Sequence, residues 1–258
     1  MLLPHDDVGA GSAVVLLHAG VTDRTMWAEH LRPIADAGFR VVAMDLPGFG
    51  EAPLAQEDAA WSDVVQTMDA IHIDGAALVG NSFGGAVALR VAVVAPERAA
   101  AIALVSAPPP HLEPSSELQA AWEAEESALE RGDIEAAVGA VLDAWMLVDA
   151  PAALRDRVAA MQRRAFEVQA AAGEVTEVQD PIESDPGALG RLAIPALVAA
   201  GEHDMPDFRS GADALAQQLR HARQVVIARA GHLAPLEQPE AFRELLLGFL
   251  RKSAAPDA

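Results

Sequence analysis

Cysteine and tyrosine are both absent from the 258 residues, and lysine occurs only at Lys252. The missing cysteine excludes disulfides, thiolate metal sites and cysteine nucleophiles together, and it fits a reducing compartment. The cytoplasm is therefore the expected location. Basic residues are also scarce: 18 of them face 38 acidic ones, for a formal net charge of -20. Such a chain would be repelled by a nucleic-acid backbone and by an anionic membrane surface, so neither is expected as a partner. Long apolar runs are lacking as well. The N-terminus MLLPHDD has no basic leader region, and the run Ala13 to Leu17 is too short for a signal core or a membrane span. The lysine-poor, alanine- and arginine-rich usage fits a coding bias or acidic-salt adaptation and implies no mechanism.

What is present is hydrophobic mass, 52% of the chain, enough for one large core. Short apolar runs that suit buried parallel strands recur at Ala13–His18, Arg40–Met44, Ala76–Gly80, Ala101–Ser106, Ile194–Ala200 and Gln224–Ala228. Helix-period segments lie between them at Arg24–Ala37, Ala59–Ile71, Phe83–Ala95, Phe208–Arg220 and Pro239–Arg251. This alternation predicts an α/β, doubly wound, mostly parallel sheet. It stops from about Pro108 to Gly190, where Ala-rich acidic segments such as Ser116–Arg131 and Ile134–Leu147 read as helices. A structureless loop of that length is improbable, so an α-helical cap over 108–190 is expected, inserted into a core made of 1–107 and 191–258. The N-terminus leaves little room for an antiparallel hairpin before Ala13.

The sharpest chemical signal is Gly80-Asn81-Ser82-Phe83-Gly84, a G-x-S-x-G between a strand-like and a helix-like run. That context suits a strained turn that pushes a serine hydroxyl out at the carboxyl edge of the sheet, the glycines removing clashes on either side. The following helix points its first amides at the serine, so the Phe83 N–H is a candidate oxyanion donor. A serine hydroxyl needs a base, and His232 stands in the loop after the last strand-like run, within Gly231–Pro239. The carboxylate that orients it must lie between them in the chain. Asp204, in Gly201-Glu202-His203-Asp204, follows the strand Ile194–Ala200 and is the choice over its neighbours Glu202 and Asp207. A second oxyanion amide is expected from the loop after the first strand, at Gly20 with Val21 as its competitor. His18 reads as structural, bonded to loop backbone behind the site. Asp45–Gly50 reads as a tight turn, since its glycines lack a phosphate-loop context. His203 beside Asp204 has the wrong spacing for paired metal ligands, and there is no H-E-x-x-H, so neither metal nor cofactor is expected.

Taken together, LLHAG at Leu16–Gly20, DLPGFG at Asp45–Gly50, GNSFGG at Gly80–Gly85, GEHD at Gly201–Asp204 and GHLAPLEQPE at Gly231–Glu240 resemble the α/β-hydrolase superfamily across nearly the whole chain. The resemblance implies that fold and a Ser82-Asp204-His232 triad, without fixing the substrate. Epoxide hydrolases of the superfamily use cap tyrosines and an aspartate nucleophile, and haloalkane dehalogenases an aspartate followed by tryptophan; this chain has no tyrosine and has Ser82-Phe83. GNSFGG is similar to the elbow of meta-cleavage-product hydrolases, in which a tryptophan often follows the catalytic histidine, whereas Leu233 follows it here. HAGVTDRTMW at His18–Trp27 is similar to the corresponding loop of 3-oxoadipate enol-lactonases.

The expected activity is hydrolysis of a small carboxylic ester or lactone through an acyl-enzyme. The alternatives are a carbon-carbon bond hydrolase or cofactor-free perhydrolase on the same triad, or a ligand-binding receptor of this fold with slow or no turnover. The partner is a small-molecule substrate in a pocket expected to draw on Val21, Trp27, Trp122, Trp145 and Met146, with Met161 and Phe166 as further cap candidates. A homodimer through cap helices stays open, because amphipathic helices pack equally well within one chain.

Overall fold

The computed structural model describes residues 1–171 and 175–253. Its strands are β1 (His5–Gly9), β2 (Ser12–Leu17), β3 (Phe39–Met44), β4 (Ala76–Asn81), β5 (Ala99–Val105), β6 (Ala196–Gly201) and β7 (Ala222–Ile227). They form one seven-stranded sheet in the order β1-β3-β2-β4-β5-β6-β7. β1 is antiparallel to β3, and every other neighbouring pair is parallel. The N-terminus indeed makes no hairpin: β1 skips β2 and pairs with β3 at the edge, a strand that the sequence pattern did not reveal.

The helices are α1 (Ala28–Asp36), α2 (Ala60–Ala70), α3 (Phe83–Val94), α4 (Ser116–Glu130), α5 (Ile134–Trp145), α6 (Ala152–Ala170), α7 (Ala188–Arg191), α8 (Pro206–Gln218), α9 (Ala234–Glu237) and α10 (Pro239–Ser253). The period-2 geometry of the strands decides how they pack. In β2 and β3, Val15, Leu17, Val42 and Met44 join one core, with α2, α3 and α8 supplying Met68, Leu89 and Leu215. Their neighbours Val14, Leu16, Val41 and Ala43 join the other, against Ile34 of α1 and Phe242 and Leu246 of α10. Both faces are therefore covered, as an apolar parallel sheet requires.

Between β5 and β6 the chain runs through α4, α5, α6 and α7. Leu118, Val138, Val141, Trp145 and Phe166 of this insertion form a third apolar cluster, which reaches the sheet body at Met205 and Phe208. Local sequence sets its helix starts: the Ser115 hydroxyl accepts from the Leu118 N–H, and the Asp133 carboxylate from the Ala136 N–H. Among the described residues no helix is long and apolar enough to cross a membrane.

Candidate active site

Ser82 stands at the junction of β4 and α3 with φ 52° and ψ −117°, a backbone conformation that non-glycine residues rarely adopt. The turn can be this tight because the residues two positions away on either side, Gly80 and Gly84, carry no side chain. A Cβ on Gly80 would lie 2.2 Å from the Gly84 backbone, and one on Gly84 would lie 2.3 Å from the Leu17 carbonyl oxygen. The Ser82 N–H donates to the Val105 carbonyl at 2.8 Å, pinning the turn to β5. Phe83 opens α3, so its N–H belongs to the first turn, which has no acceptor within the helix. Gly20 abuts it, a Cβ there lying 3.4 Å from the Cβ of Phe83. The two residues expected to supply the oxyanion donors thus abut one another.

The loop carrying Gly20 is held from behind by His18. The His18 Nδ1 donates to the Ala19 carbonyl at 2.8 Å, and its Nε2 accepts from the Leu46 N–H at 2.8 Å. These two bonds fix one neutral tautomer, and complete burial lowers the pKa against the pull of the Ala19 carbonyl and Asp45. Asp45 is spent elsewhere, accepting from the Arg24 and Glu51 amides and pairing with the Arg24 guanidinium.

Beyond β6, Asp204 is buried, and its Oδ1 accepts from the Met205 N–H at 2.8 Å and from His232 Nδ1 at 2.9 Å. A carboxylate only accepts, so Nδ1 carries the hydrogen and Nε2 is left as the basic nitrogen of the ring. The neighbouring carboxylates are engaged elsewhere: Glu202 accepts from the Arg229 N–H, and Asp207 accepts from the N–H and hydroxyl of Ser115. Burial pushes Asp207 up, but the Ser115 bonds outweigh it and hold the carboxyl below its ordinary value.

Asn81 ties the two halves together. Its side-chain amide donates to the Val105 carbonyl and to the His232 carbonyl, each at 3.1 Å. The residue next to Ser82 thereby holds the backbone of His232. The imidazole packs against both Trp145 of α5 and Phe208 of α8, with ring centroids at 4.6 and 4.4 Å, and those two rings touch each other at 5.7 Å. A cavity of about 510 Å³ reaches Trp145 and His232, lined also by Met146, Leu147 and Asp204 among others.

The other expected pocket residues fall in different places. Met146 packs with Ala19, Val158 and Leu233, and Val21 lies against that cluster. Phe166 joins the cluster of Trp145 and Phe208, and Met161 is buried. Trp27 is fully buried in the opposite core, packed on His30 and Phe242, because the turn that carries it faces α10 rather than the insertion. Trp122 is 45% exposed on α4, so the structure does not bring it to His232. Sequence reasoning missed Phe208, Asn81 and Glu237. For Phe208, the available signal was an aromatic in the first turn of the helix that follows Asp204.

Among the described residues no group of three or more His, Asp or Glu could hold a metal ion. The family profile for the alpha/beta hydrolase fold matches residues 12–239, and the chain belongs to that family. It is 31% identical to 2-hydroxymuconate semialdehyde hydrolase from Pseudomonas sp. strain CF600, over 96% of this chain and 90% of that one. It is 39% identical to 2-hydroxy-6-oxo-6-phenylhexa-2,4-dienoate hydrolase from Comamonas testosteroni, but over only 38% of this chain and 37% of that one. Among solved structures, an esterase from Thermogutta terrifontis superposes with a TM-score of 0.78 at 25% identity, covering 98% of this chain and 94% of that one. These relatives and neighbours are hydrolases; they differ in the bond they cleave.

Proposed function

We propose that this protein is a serine hydrolase that cleaves a small carboxylic ester or lactone through an acyl-enzyme. The observation that carries the reading is the buried 2.9 Å bond between His232 Nδ1 and Asp204, on a loop that Asn81 holds beside Ser82. Asp204 fixes the tautomer, so Nε2 takes the Ser82 proton as the oxygen attacks the carbonyl carbon. The Phe83 and Gly20 amides receive the negative charge that develops on the carbonyl oxygen. As the tetrahedral intermediate collapses, the C–O bond breaks and His232 returns its proton to the leaving alkoxide. Water, deprotonated by the same nitrogen, then attacks the acyl carbon; the bond to the Ser82 oxygen breaks, His232 returns the proton to that oxygen, and the acid is released. The helical insertion over 108–190 acts as the lid and lines the substrate side with Trp145 and Met146.

A second reading, hydrolysis of a carbon-carbon bond in a dienoate on the same three residues, is favoured by the near full-length match to the semialdehyde hydrolase. One panel separates the two: p-nitrophenyl acetate and butyrate, a γ-lactone and a 2-hydroxy-6-oxo-dienoate, each tested with wild type and Ser82→Ala. Ester or lactone turnover that vanishes in S82A supports the first reading. Turnover of the dienoate alone overturns it for the second, and no turnover of any substrate overturns both.

A further inference from the structure

We infer that Glu237 is a positioning residue that locks the loop of His232 to the helical insertion. The inference rests on the hydrolase reading above, since it concerns how that reading's base is held.

Glu237 ends the short helix α9, and its side chain turns back under the loop. One carboxylate oxygen accepts from the Gly231 N–H at 2.7 Å, the residue just before His232. The other accepts from the Leu147 N–H at 2.9 Å, two residues beyond Trp145, whose ring packs on His232. One side chain thus holds the backbone that carries the imidazole and the chain end that carries one of its walls. Gly231 leaves room for this: a Cβ there would stand 3.2 Å from both Glu237 oxygens and 3.1 Å from a methyl of Leu147.

A half-buried carboxylate held only by amides is a costly choice if packing is the sole requirement. From its own loop Glu237 faces His232, from the β6 loop Asp204, and from the insertion the Leu147 amide. Burial raises its pKa, opposed by the two amides and by His232. The ionised form is the one whose two oxygens can both serve as acceptors. In addition, its negative charge favours the imidazolium that forms as Ser82 gives up its proton.

The test uses Glu237→Gln, which keeps size and shape but turns one acceptor into a donor, and Leu147→Pro, which removes the N–H on the insertion side together with the Leu147 side chain, read against Leu147→Ala, which loses the side chain alone. Kinetics with p-nitrophenyl acetate are followed across the acid pH range, with melting temperatures measured in parallel. For E237Q the expected result is a fall in kcat of about tenfold or more with KM changed by less than about threefold. Its acid limb should also be shallower than that of wild type, which carries the protonation of Glu237. L147P, which keeps the charge, is expected to lose severalfold in kcat/KM relative to L147A, and the pair keeps the inference testable if E237Q does not fold. A folded E237Q within twofold of wild type, or an L147P no slower than L147A beside an unfolded E237Q, would overturn it. Wild-type protein without Ser82-dependent turnover overturns the hydrolase reading itself, a result that no comparison of variants can produce.

Discussion

His18 and His232 are both buried in loops at the carboxyl edge of the sheet, and both use Nδ1 as a donor. They differ in everything that follows from the partner. His18 donates to a carbonyl and accepts an amide on Nε2, so both nitrogens are spent and burial keeps the ring neutral. His232 donates to a carboxylate, which leaves Nε2 as the basic nitrogen and places negative charge where an imidazolium would form. A loop histidine is thus read by what it bonds: two neutral backbone partners suit a strut, and one buried carboxylate suits the proposed base.

The largest effect that could break this contrast is at the carboxylate. Asp204→Asn is expected to lower kcat by about 10⁴-fold with little change in KM, whereas Glu202→Gln, two residues away and bonded to the Arg229 amide, is expected to leave it within twofold. Steady-state kinetics of the two variants decide the matter. Trp27→Ala comes next: it opens a cavity in the core shared with Phe242 and is expected to cost about 3–5 kcal/mol by denaturant titration, with KM unchanged. Trp145→Ala removes a wall of the His232 slot and should instead depress kcat/KM.

His18→Ala leaves the Leu46 N–H buried without an acceptor and is expected to cost about 1–3 kcal/mol, with Ser82 still reactive. The sign of its pH dependence follows from burial. His18 and His30 are held below the ordinary histidine value in the folded protein, so the unfolded chain binds protons first as the pH falls. Their contribution to stability is full above about 6.5 and is lost below it, towards the lower folded values. H18A should flatten that part of a stability profile measured between pH 5 and 7. Trp122→Ala is the smallest expected change, within about 0.5 kcal/mol, because its ring is 45% exposed.

Much of this site was legible in the sequence because its parts are local. The glycines around Ser82, the strand before each loop and the order serine, aspartate, histidine can all be read along the chain, and the structure brings Asp204 and His232 together as expected. The parallel strands and the five core helices fall within a few residues of their patterns. What was not legible depends on long-range packing. Trp27 faces the wrong side of the sheet because a turn of 3₁₀ helix at Arg24–Trp27 rotates it towards α10. Phe208 reaches His232 only because α8 begins beside the Asp204 loop. β1 carries no apolar alternation, since it is an edge strand of His, Asp and Gly with the single apolar residue Val8 and a mostly half-buried pattern.

The central claim is that Ser82 is a nucleophile activated by His232. Incubation with a fluorophosphonate, followed by peptide mass spectrometry, tests it most directly. One adduct is expected, on Ser82, formed rapidly in wild type and suppressed in His232→Ala. No adduct, or an adduct on another residue that survives in Ser82→Ala, would contradict it.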